Sequence, residues 1–344
     1  YTYNLSGALI EQKYPSGRIV KNILDNNGDL SIVQSKKNSN YGYFNYAHHF
    51  TFTAAGAVSS MQLGNGRWES ATFNSRLQPT QIALGVTQNT TNLLDLDFTY
   101  GTTANNGNVL SQTITVPTVG TDNGFTATQN YSYDALNRIK DANENLTPSG
   151  GSSTQTWKQT FTYDLYGNRS FDEGSSGGNY LTTTLTRSCS TSTYNPNGIC
   201  DKKKVNPTFA ASNRIEQNQD GTNDYLFDSG GNTTKDASGN TFIYDAENKQ
   251  IEVKNSSSVT IGQYWYDGDG KRIKKYVQAT GETTIFVYDA SGKMVAEYST
   301  IVETTNPQVS YLTNDHLGSP RIITNENGAV TSRRDFQPFG EEIA

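Results

Sequence analysis

Acidic residues spaced by glycine are the first candidates for chemistry in this 344-residue sequence. Residues 267–271 read DGDGK, the spacing of the first ligands in a calcium-binding loop. Such a loop requires a glutamate at its twelfth position, where this sequence has Gln278. Lys271 and Arg272 also occupy positions where oxygen ligands are needed. We therefore predict that Asp267 caps a turn, and that the chain holds no metal ion and no cofactor.

The three histidines are the next candidates for a catalytic or metal-binding role. His48 and His49 lie in an aromatic strand, in which adjacent side chains point to opposite faces. We therefore predict that their rings cannot hold one metal ion together. His316 lies at a turn, and no nucleophile elbow of the type G-x-S-x-G accompanies it. We predict structural roles for all three, and no enzymatic activity for the chain.

Two cysteines, Cys189 and Cys200, are separated by ten residues that include the turn signal Asn-Pro-Asn-Gly. This turn could bring them together as a disulfide, which would imply an oxidising compartment. Two unpaired thiols are the alternative. Two thiols alone cannot form a tetrahedral zinc site, and no histidine lies near them in the sequence.

Charge argues against binding to nucleic acid, and hydropathy argues against a membrane-spanning helix. The net charge is −6, whereas a protein that binds the phosphate backbone normally presents a basic face. No stretch approaches the length of apolar sequence that a membrane-spanning helix needs. We therefore predict neither a nucleic-acid partner nor a membrane span.

The Asp-Gly motif belongs to a phrase that the sequence repeats. Tyr244, Tyr266 and Tyr288 each precede an Asp and are spaced by 22 residues. Further copies begin at Tyr133, Tyr163 and Phe227, and degenerate ones at Tyr3, Phe52, Phe73 and Phe209. Recurrence of this kind is typical of a repeat protein.

One copy of the phrase predicts a strand, a tight turn and a second strand. The Asp carboxylate accepts backbone N–H groups two residues on, and the Gly or Asn four residues after the aromatic residue supplies a positive φ. The tyrosines of successive units are predicted to lie beside one another across the strands. The residues that we predict to form these structural turns are Tyr133, Asp134, Tyr163, Asp164, Tyr244, Asp245, Tyr266, Asp267, Gly270, Tyr288, Asp289 and Gly292.

Composition agrees with this interpretation. Only 33% of residues are hydrophobic, and the sequence contains 21 Tyr, 14 Phe and 31 Gly, with few methionines. Aromatic and β-branched residues separated by Gly, Asn and Asp are typical of strands and turns. We predict an all-β protein, in which a long, twisted antiparallel sheet of hairpins spirals as units are added.

These repeats resemble the YD-repeat family, also called Rhs (rearrangement-hotspot) repeat proteins, which includes the Tc toxin C components and the teneurin shell. Two motifs in the C-terminal stretch make the resemblance more specific. Its NDHLGSPR (residues 314–321) and DFQPFGE (residues 335–341) look like the Rhs-associated core signature. The resemblance covers nearly the full length and is weakest over residues 75–130 and 175–205. It assigns to the signature Asp315, His316, Gly318, Arg321, Asp335, Pro338 and Gly340.

The resemblance implies a hollow, cocoon-like shell that encloses an effector, followed by a core segment that closes the shell and cleaves itself. In the relatives, cleavage is attributed to Asp-Pro-x-Gly motifs, and this sequence contains no Asp-Pro dipeptide. We therefore expect residues 1–310 to be YD-repeat shell and residues 311–344 to be the start of a truncated core region.

The expected function is a structural shell segment of a larger, secreted or surface-delivered bacterial polymorphic toxin. The expected partners are the protein's own C-terminal effector and further YD repeats of the same polypeptide. The alternative is an extracellular adhesion protein that binds cell-surface glycans through exposed aromatic residues.

Overall fold

The computed structural model describes residues 1–14, 17–119, 123–171, 208–209, 213–217, 225–288, 294–301 and 309–343. In these ranges the chain forms strands and turns and contains no helix, and so none that could cross a membrane. Each described strand pairs antiparallel with a neighbour in the sequence. The predicted all-β fold of consecutive hairpins is confirmed.

The longest sheet has 14 strands arranged in sequence order. The strands are β1 Thr2–Tyr3, β2 Leu9–Lys13, β3 Ile19–Leu24, β4 Leu30–Lys36, β5 Phe44–Phe52, β6 Val58–Leu63, β7 Trp68–Phe73, β8 Pro79–Gly85, β9 Leu94–Thr99, β10 Ser111–Val116, β11 Phe125–Tyr133, β12 Ile139–Pro148, β13 Thr154–Tyr163 and β14 Arg169–Phe171.

An eight-stranded sheet, β17–β24, and three small sheets account for the remaining described strands. The eight strands are β17 Leu226–Phe227, β18 Thr233–Lys235, β19 Thr241–Tyr244, β20 Gln250–Lys254, β21 Thr260–Tyr266, β22 Arg272–Val277, β23 Glu282–Tyr288 and β24 Met294–Ser299. The small sheets pair β15 Thr208–Phe209 with β16 Ile215–Gln217, join β25 Tyr311–Asn314, β26 Pro320–Thr324 and β27 Val330–Arg333, and pair β28 Asp335–Phe336 with β29 Glu342–Ile343.

The described residues fall into two compact units. The first contains residues up to Phe161 together with residues 309–343, and the second contains residues 162–171 and the described residues between 208 and 301. The C-terminal residues therefore belong to the same unit as the N-terminal half of the chain, although the second unit lies between them in sequence.

One hairpin turn recurs along the chain, and residues 134–138 show its geometry. The Asn137 N–H donates to the Asp134 carbonyl at 3.0 Å, and the Asp134 N–H donates to the Arg138 carbonyl at 2.9 Å. Asn137 has φ +60°, and the strand register shifts by one residue just before the turn. This is a type I turn followed by a left-handed residue in a bulge, a common three-residue hairpin loop.

The hydrophobic core of the first unit lies on one face of the sheet. Its centre is formed by alternate residues of the middle strands, where Leu84, Leu94, Leu96, Ile114 and Ala127 are buried. Side chains at positions i and i+2 of a strand share a face, so this alternation gives the sheet one apolar side. Tyr311 and Ile322 of the C-terminal residues complete the cluster.

Candidate functional site

The aspartates of the repeat phrase cap their own turns. Asp134, Asp164, Asp245 and Asp267 each use Oδ1 to accept two backbone N–H groups, those of the second and fourth following residues, at 2.9–3.0 Å. Gly270 has φ +75° at the left-handed position of its turn. These carboxylates therefore satisfy backbone donors within the turn.

The tyrosines of the phrase hydrogen-bond across strands, which the sequence did not indicate. The hydroxyl groups of Tyr133, Tyr244 and Tyr266 donate to the carbonyl oxygens of Val109, Thr233 and Gln250, at 2.7–2.9 Å. Burial raises the pKa of each phenol, so each remains a donor at neutral pH. Each tyrosine hydroxyl thus joins its hairpin to an earlier part of the chain by a hydrogen bond to a backbone carbonyl.

The remaining predicted residues are two tyrosines at strand ends and four residues that the structure does not describe. Tyr163 ends β13 half-buried, and Tyr288 pairs with Met294 through the backbone. Asp289, Gly292, Cys189 and Cys200 lie outside the described residues. The disulfide between the two cysteines stays a prediction.

The prediction that the side chains of His48 and His49 point to opposite faces of a regular strand was wrong. The register between β5 and β6 is irregular at this point, and His49 has φ +56°, so the two residues do not alternate as in a regular strand. Their ring centroids lie 4.4 Å apart. Within the ranges that the structure describes, no group of three or more His, Cys, Asp or Glu side chains could hold a metal ion.

Residues 309–343, which we call the docking segment, lie on the apolar face of the first unit's sheet. The Arg67 Nε–H donates to the Gly328 carbonyl at 2.7 Å, and Asn65 Nδ2 donates to the Asn325 carbonyl at 2.9 Å. Arg333 Nη1 donates to the Leu93 carbonyl at 2.9 Å. The segment is therefore held by hydrogen bonds as well as by apolar burial.

The signature residues form an ion-pair network inside the docking segment. Asp315 caps its turn with Oδ1, and its Oδ2 accepts the Arg321 Nε–H at 2.9 Å. Arg321, 5% exposed, also donates from Nη1 to Asp335. Ion pairs with two carboxylates offset the cost of burying the arginine, and its planar fork fixes their orientation.

The other signature residues shape the two turns around this network. Gly318 and Gly340 have φ +89° and +90° at the left-handed positions of their turns. His316 packs its ring edge-to-face against Phe98, with centroids 4.6 Å apart, and Pro338 lies in the second turn. Burial lowers the pKa of His316; Asp315 opposes this shift and Arg321 adds to it, so the ring is neutral at pH 7.

A row of buried polar side chains on the sheet contacts this ion-pair network. Gln112, Gln129 and Glu144 are direct cross-strand partners on β10, β11 and β12, and we call them the polar row. Gln129 Nε2 donates to Glu144 Oε2 at 2.8 Å and to Asp335 Oδ1 at 3.1 Å. The row thus connects three strands to the docking segment.

Two further contacts extend the polar row. On β13, Gln159 Nε2 donates to Gln337 Oε1 at 2.7 Å, and both side chains are buried. Thr156 donates its hydroxyl to Glu144 Oε1 at 2.6 Å. Burial raises the pKa of the Glu144 carboxyl, and the adjacent Asp335 carboxylate raises it further.

Sequence reasoning missed the polar row entirely. The signature predicted Asp315, Arg321 and Asp335 as residues of interest, and the structure brings these three together. Gln129, Glu144 and Gln159, which face the docking segment, carried no signal except alternation with apolar residues, which would have placed them on the core side of their strands.

A cavity of about 540 Å³ lies between the sheet and the docking segment, within the first unit. Its lining includes Tyr100, Gln112, Tyr133, Arg321 and Phe336. Gln112 is 2% exposed, and its Nε2 has no hydrogen-bond partner among the described residues. An unpaired buried donor is costly unless something binds it.

Two exposed aromatic rings elsewhere, those of Tyr43 and Trp265, are covered by lysines. The Lys36 ammonium lies 4.6 Å from the centre of the Tyr43 ring, and that of Lys274 lies 4.1 Å from the Trp265 ring. Each ammonium occupies a ring face that a sugar would need for stacking. Glycan binding stays a prediction.

Comparison with known proteins gives one family and a set of structural neighbours. The family model described as Teneurin YD-shell matches residues 1–344. No match was found among curated protein sequences. Similar solved structures include the Photorhabdus luminescens Tc holotoxin pore with mutated TccC3, at 19% identity and a TM-score of 0.67 over 99% of this chain.

Two further neighbours are TcdB2–TccC3, at 19% identity and a TM-score of 0.69, and TcdB2–TccC3–Cdc42, at 18% identity and 0.67. Each match also covers 99% of this chain. The chain spans only 17–18% of the length of these three neighbours. At this level of identity the likeness shows a shared fold.

Proposed function

Since the chain belongs to the Teneurin YD-shell family, we propose that it forms part of a shell that encloses polypeptide of a larger bacterial toxin. The contents would be a C-terminal effector of the same protein, and the protein would be secreted or delivered at the cell surface. In this function the chain acts as a wall and carries out no catalysis.

One observation carries the proposal: the first unit holds polypeptide on one face of its sheet. The docking segment buries Tyr311 and Ile322 in the core of this unit, and its Asp335 and Gln337 accept hydrogen bonds from buried amides of the sheet. Ladder hydrogen bonds join each strand to the next, so the interior of such a sheet offers few free strand edges to a protease. We therefore propose that this sheet forms part of the wall of the shell.

The residues of the repeat phrase are proposed to act structurally. Asp134, Asp164, Asp245 and Asp267 cap turns of one kind, and no single turn is proposed to be essential. We propose the same role for Tyr288, Asp289 and Gly292 from their place in the repeat. The boundary between shell and core region near residue 310 is proposed from the signature.

A protease-protection experiment tests containment. A small protease-sensitive passenger domain is fused after Ala344, and as a matched control the same passenger is fused before Tyr1. We expect the C-terminal passenger to be digested at least about tenfold more slowly, since only it would be held against the wall. Equal digestion of the two passengers would contradict the proposal.

A further inference from the structure

The polar row contains one amide whose role is unassigned. Gln129 and Gln159 each donate from Nε2 to a side chain of the docking segment, namely Asp335 and Gln337. Gln112 lies directly across from Gln129 in the same sheet, but its Nε2 has no partner among the described residues. It lines the cavity, together with residues of the docking segment such as Arg321 and Phe336.

We propose that this cavity is a binding site for a second polypeptide segment, which supplies a carbonyl oxygen to Gln112 Nε2. The two neighbouring amides show what this face of the sheet binds: oxygen atoms of a polypeptide laid across it. A third amide at the same depth, directly paired in register with Gln129, continues the pattern.

The charges around the cavity select a neutral ligand. Arg321, which lines the cavity, already donates to Asp315 and Asp335. Two carboxylates against one guanidinium leave the site with excess negative charge, and an anionic ligand would be repelled. The first requirement on the ligand is therefore a neutral oxygen, such as that of a peptide bond or of an Asn or Gln side chain.

The apolar lining sets the second requirement on the ligand. Tyr100, Tyr133 and Phe336 contribute rings, and Leu77 and Pro338 lie at the turns that border the cavity. The hydroxyls of Tyr100 and Tyr133 already donate to the carbonyl oxygens of Pro79 and Val109. An apolar or aromatic side chain next to the bound carbonyl would therefore fill the cavity, in the usual manner of a mostly apolar site with few polar groups.

This proposed binding site is independent of the proposed shell function, so an experiment can contradict one without contradicting the other. The probe is N-acetyl-L-phenylalaninamide, which carries two amide oxygens and one aromatic ring. It is titrated into the full chain while the side-chain amide signal of Gln112 is followed by two-dimensional NMR. We expect a saturable shift of that signal, and a crystal soaked with the probe to place a carbonyl oxygen within hydrogen-bond distance of Gln112 Nε2.

A matched pair of variants separates recognition from nonspecific binding. Gln112→Met has a similar volume and removes the unpaired donor, and Gln278→Met makes the same change at an exposed turn outside the cavity. We expect Gln112→Met to bind the probe roughly tenfold more weakly, as loss of one buried hydrogen bond predicts, and Gln278→Met to bind it unchanged. Equal binding by Gln112→Met, or a soaked crystal with only water beside Gln112, would overturn the proposal.

Discussion

At the scale of single residues, the carboxyl groups of Glu144 and Asp335 lie next to each other, and that of Glu144 is buried. Glu144 is buried on the sheet, and the Asp335 carboxylate approaches it from the docking segment. Gln129 Nε2 donates to both carboxyls, and the hydroxyl of Thr156 donates to Glu144. Burial of Glu144 and, secondly, the charge of the neighbouring Asp335 carboxylate both favour the protonated form of Glu144 in the folded protein.

Replacing Glu144 should therefore change how stability depends on pH. A carboxyl whose folded pKa is raised above its ordinary value of 4.5 destabilises the fold as pH rises through that value towards the folded pKa. An amide side chain at this position would be neutral at every pH. We expect the melting temperature of Glu144→Gln to be close to that of the parent at about pH 4 and higher at about pH 7.

Thermal unfolding followed by circular dichroism at both pH values measures this difference. Glu326→Gln, at an exposed turn of the docking segment, provides the control, and we expect it to shift the melting temperature equally at the two pH values. If Glu144→Gln also shifted it equally at both, the raised pKa of Glu144 in the folded protein would be refuted.

At the scale of elements, one hairpin turn is used repeatedly with different residues at its left-handed position. Glycine or asparagine occupies that position in most described copies, but Leu77 occupies it with φ +60°. Leucine in this conformation brings its Cβ close to the following carbonyl oxygen and costs about 1 kcal/mol. Leu77 is 54% exposed, so little packing offsets this cost.

Leu77→Asn should consequently stabilise the protein by about 0.5–1 kcal/mol, because asparagine tolerates the left-handed region. Leu136→Asn is the matched control, since Leu136 is an exposed leucine in a turn of the same type but next to its left-handed residue, Asn137. We expect the control to change stability by less than about 0.5 kcal/mol. Urea unfolding curves measure both, and a loss of stability in Leu77→Asn would show that Leu77 is held in place by packing.

The sequence predicted these elements well because their determinants are local. The Asp cap and the positive-φ residue of a turn lie within four residues of each other, so one copy of the phrase is sufficient to predict the hairpin. The bulge at His49 was missed because nothing next to it in sequence marks an extra residue in a strand.

The polar row was missed for a different reason. Gln112, Gln129 and Glu144 share a strand face with apolar residues, but the segment that covers them follows about 200 residues later. Pairing at that distance leaves no periodicity in the sequence. The signature alone indicated that Asp315, Arg321 and Asp335 mattered, without indicating what they bind.

At the scale of the whole molecule, the docking segment determines how well the first unit is buried. Ile322 is 0% exposed and belongs to the core cluster of that unit, while Leu312 on the neighbouring strand is 49% exposed. The second unit has its own eight-stranded sheet. A change that weakens docking should therefore affect one unit selectively.

Ile322→Ala tests this selectivity. We expect it to destabilise the first unit by about 2–4 kcal/mol, through lost burial and a residual cavity, and Leu312→Ala to have a small effect. Hydrogen exchange measured by mass spectrometry should become faster in peptides covering β8–β12 and stay unchanged in peptides covering β20–β22. Equal acceleration in both sheets would contradict the division into two units.

The return of the docking segment to the first sheet also fixes an order of events during synthesis. Most described strands pair with the strand made just before them, and such local contacts form early and fast. The bond between Arg67 and Gly328 joins residues 261 positions apart, and Ile322 enters a core whose other strands left the ribosome long before. The first unit of this chain is thus completed only after the residues of the second unit have been made. Until residues 309–343 emerge, its apolar face is open to chaperones or to any other polypeptide that reaches it first.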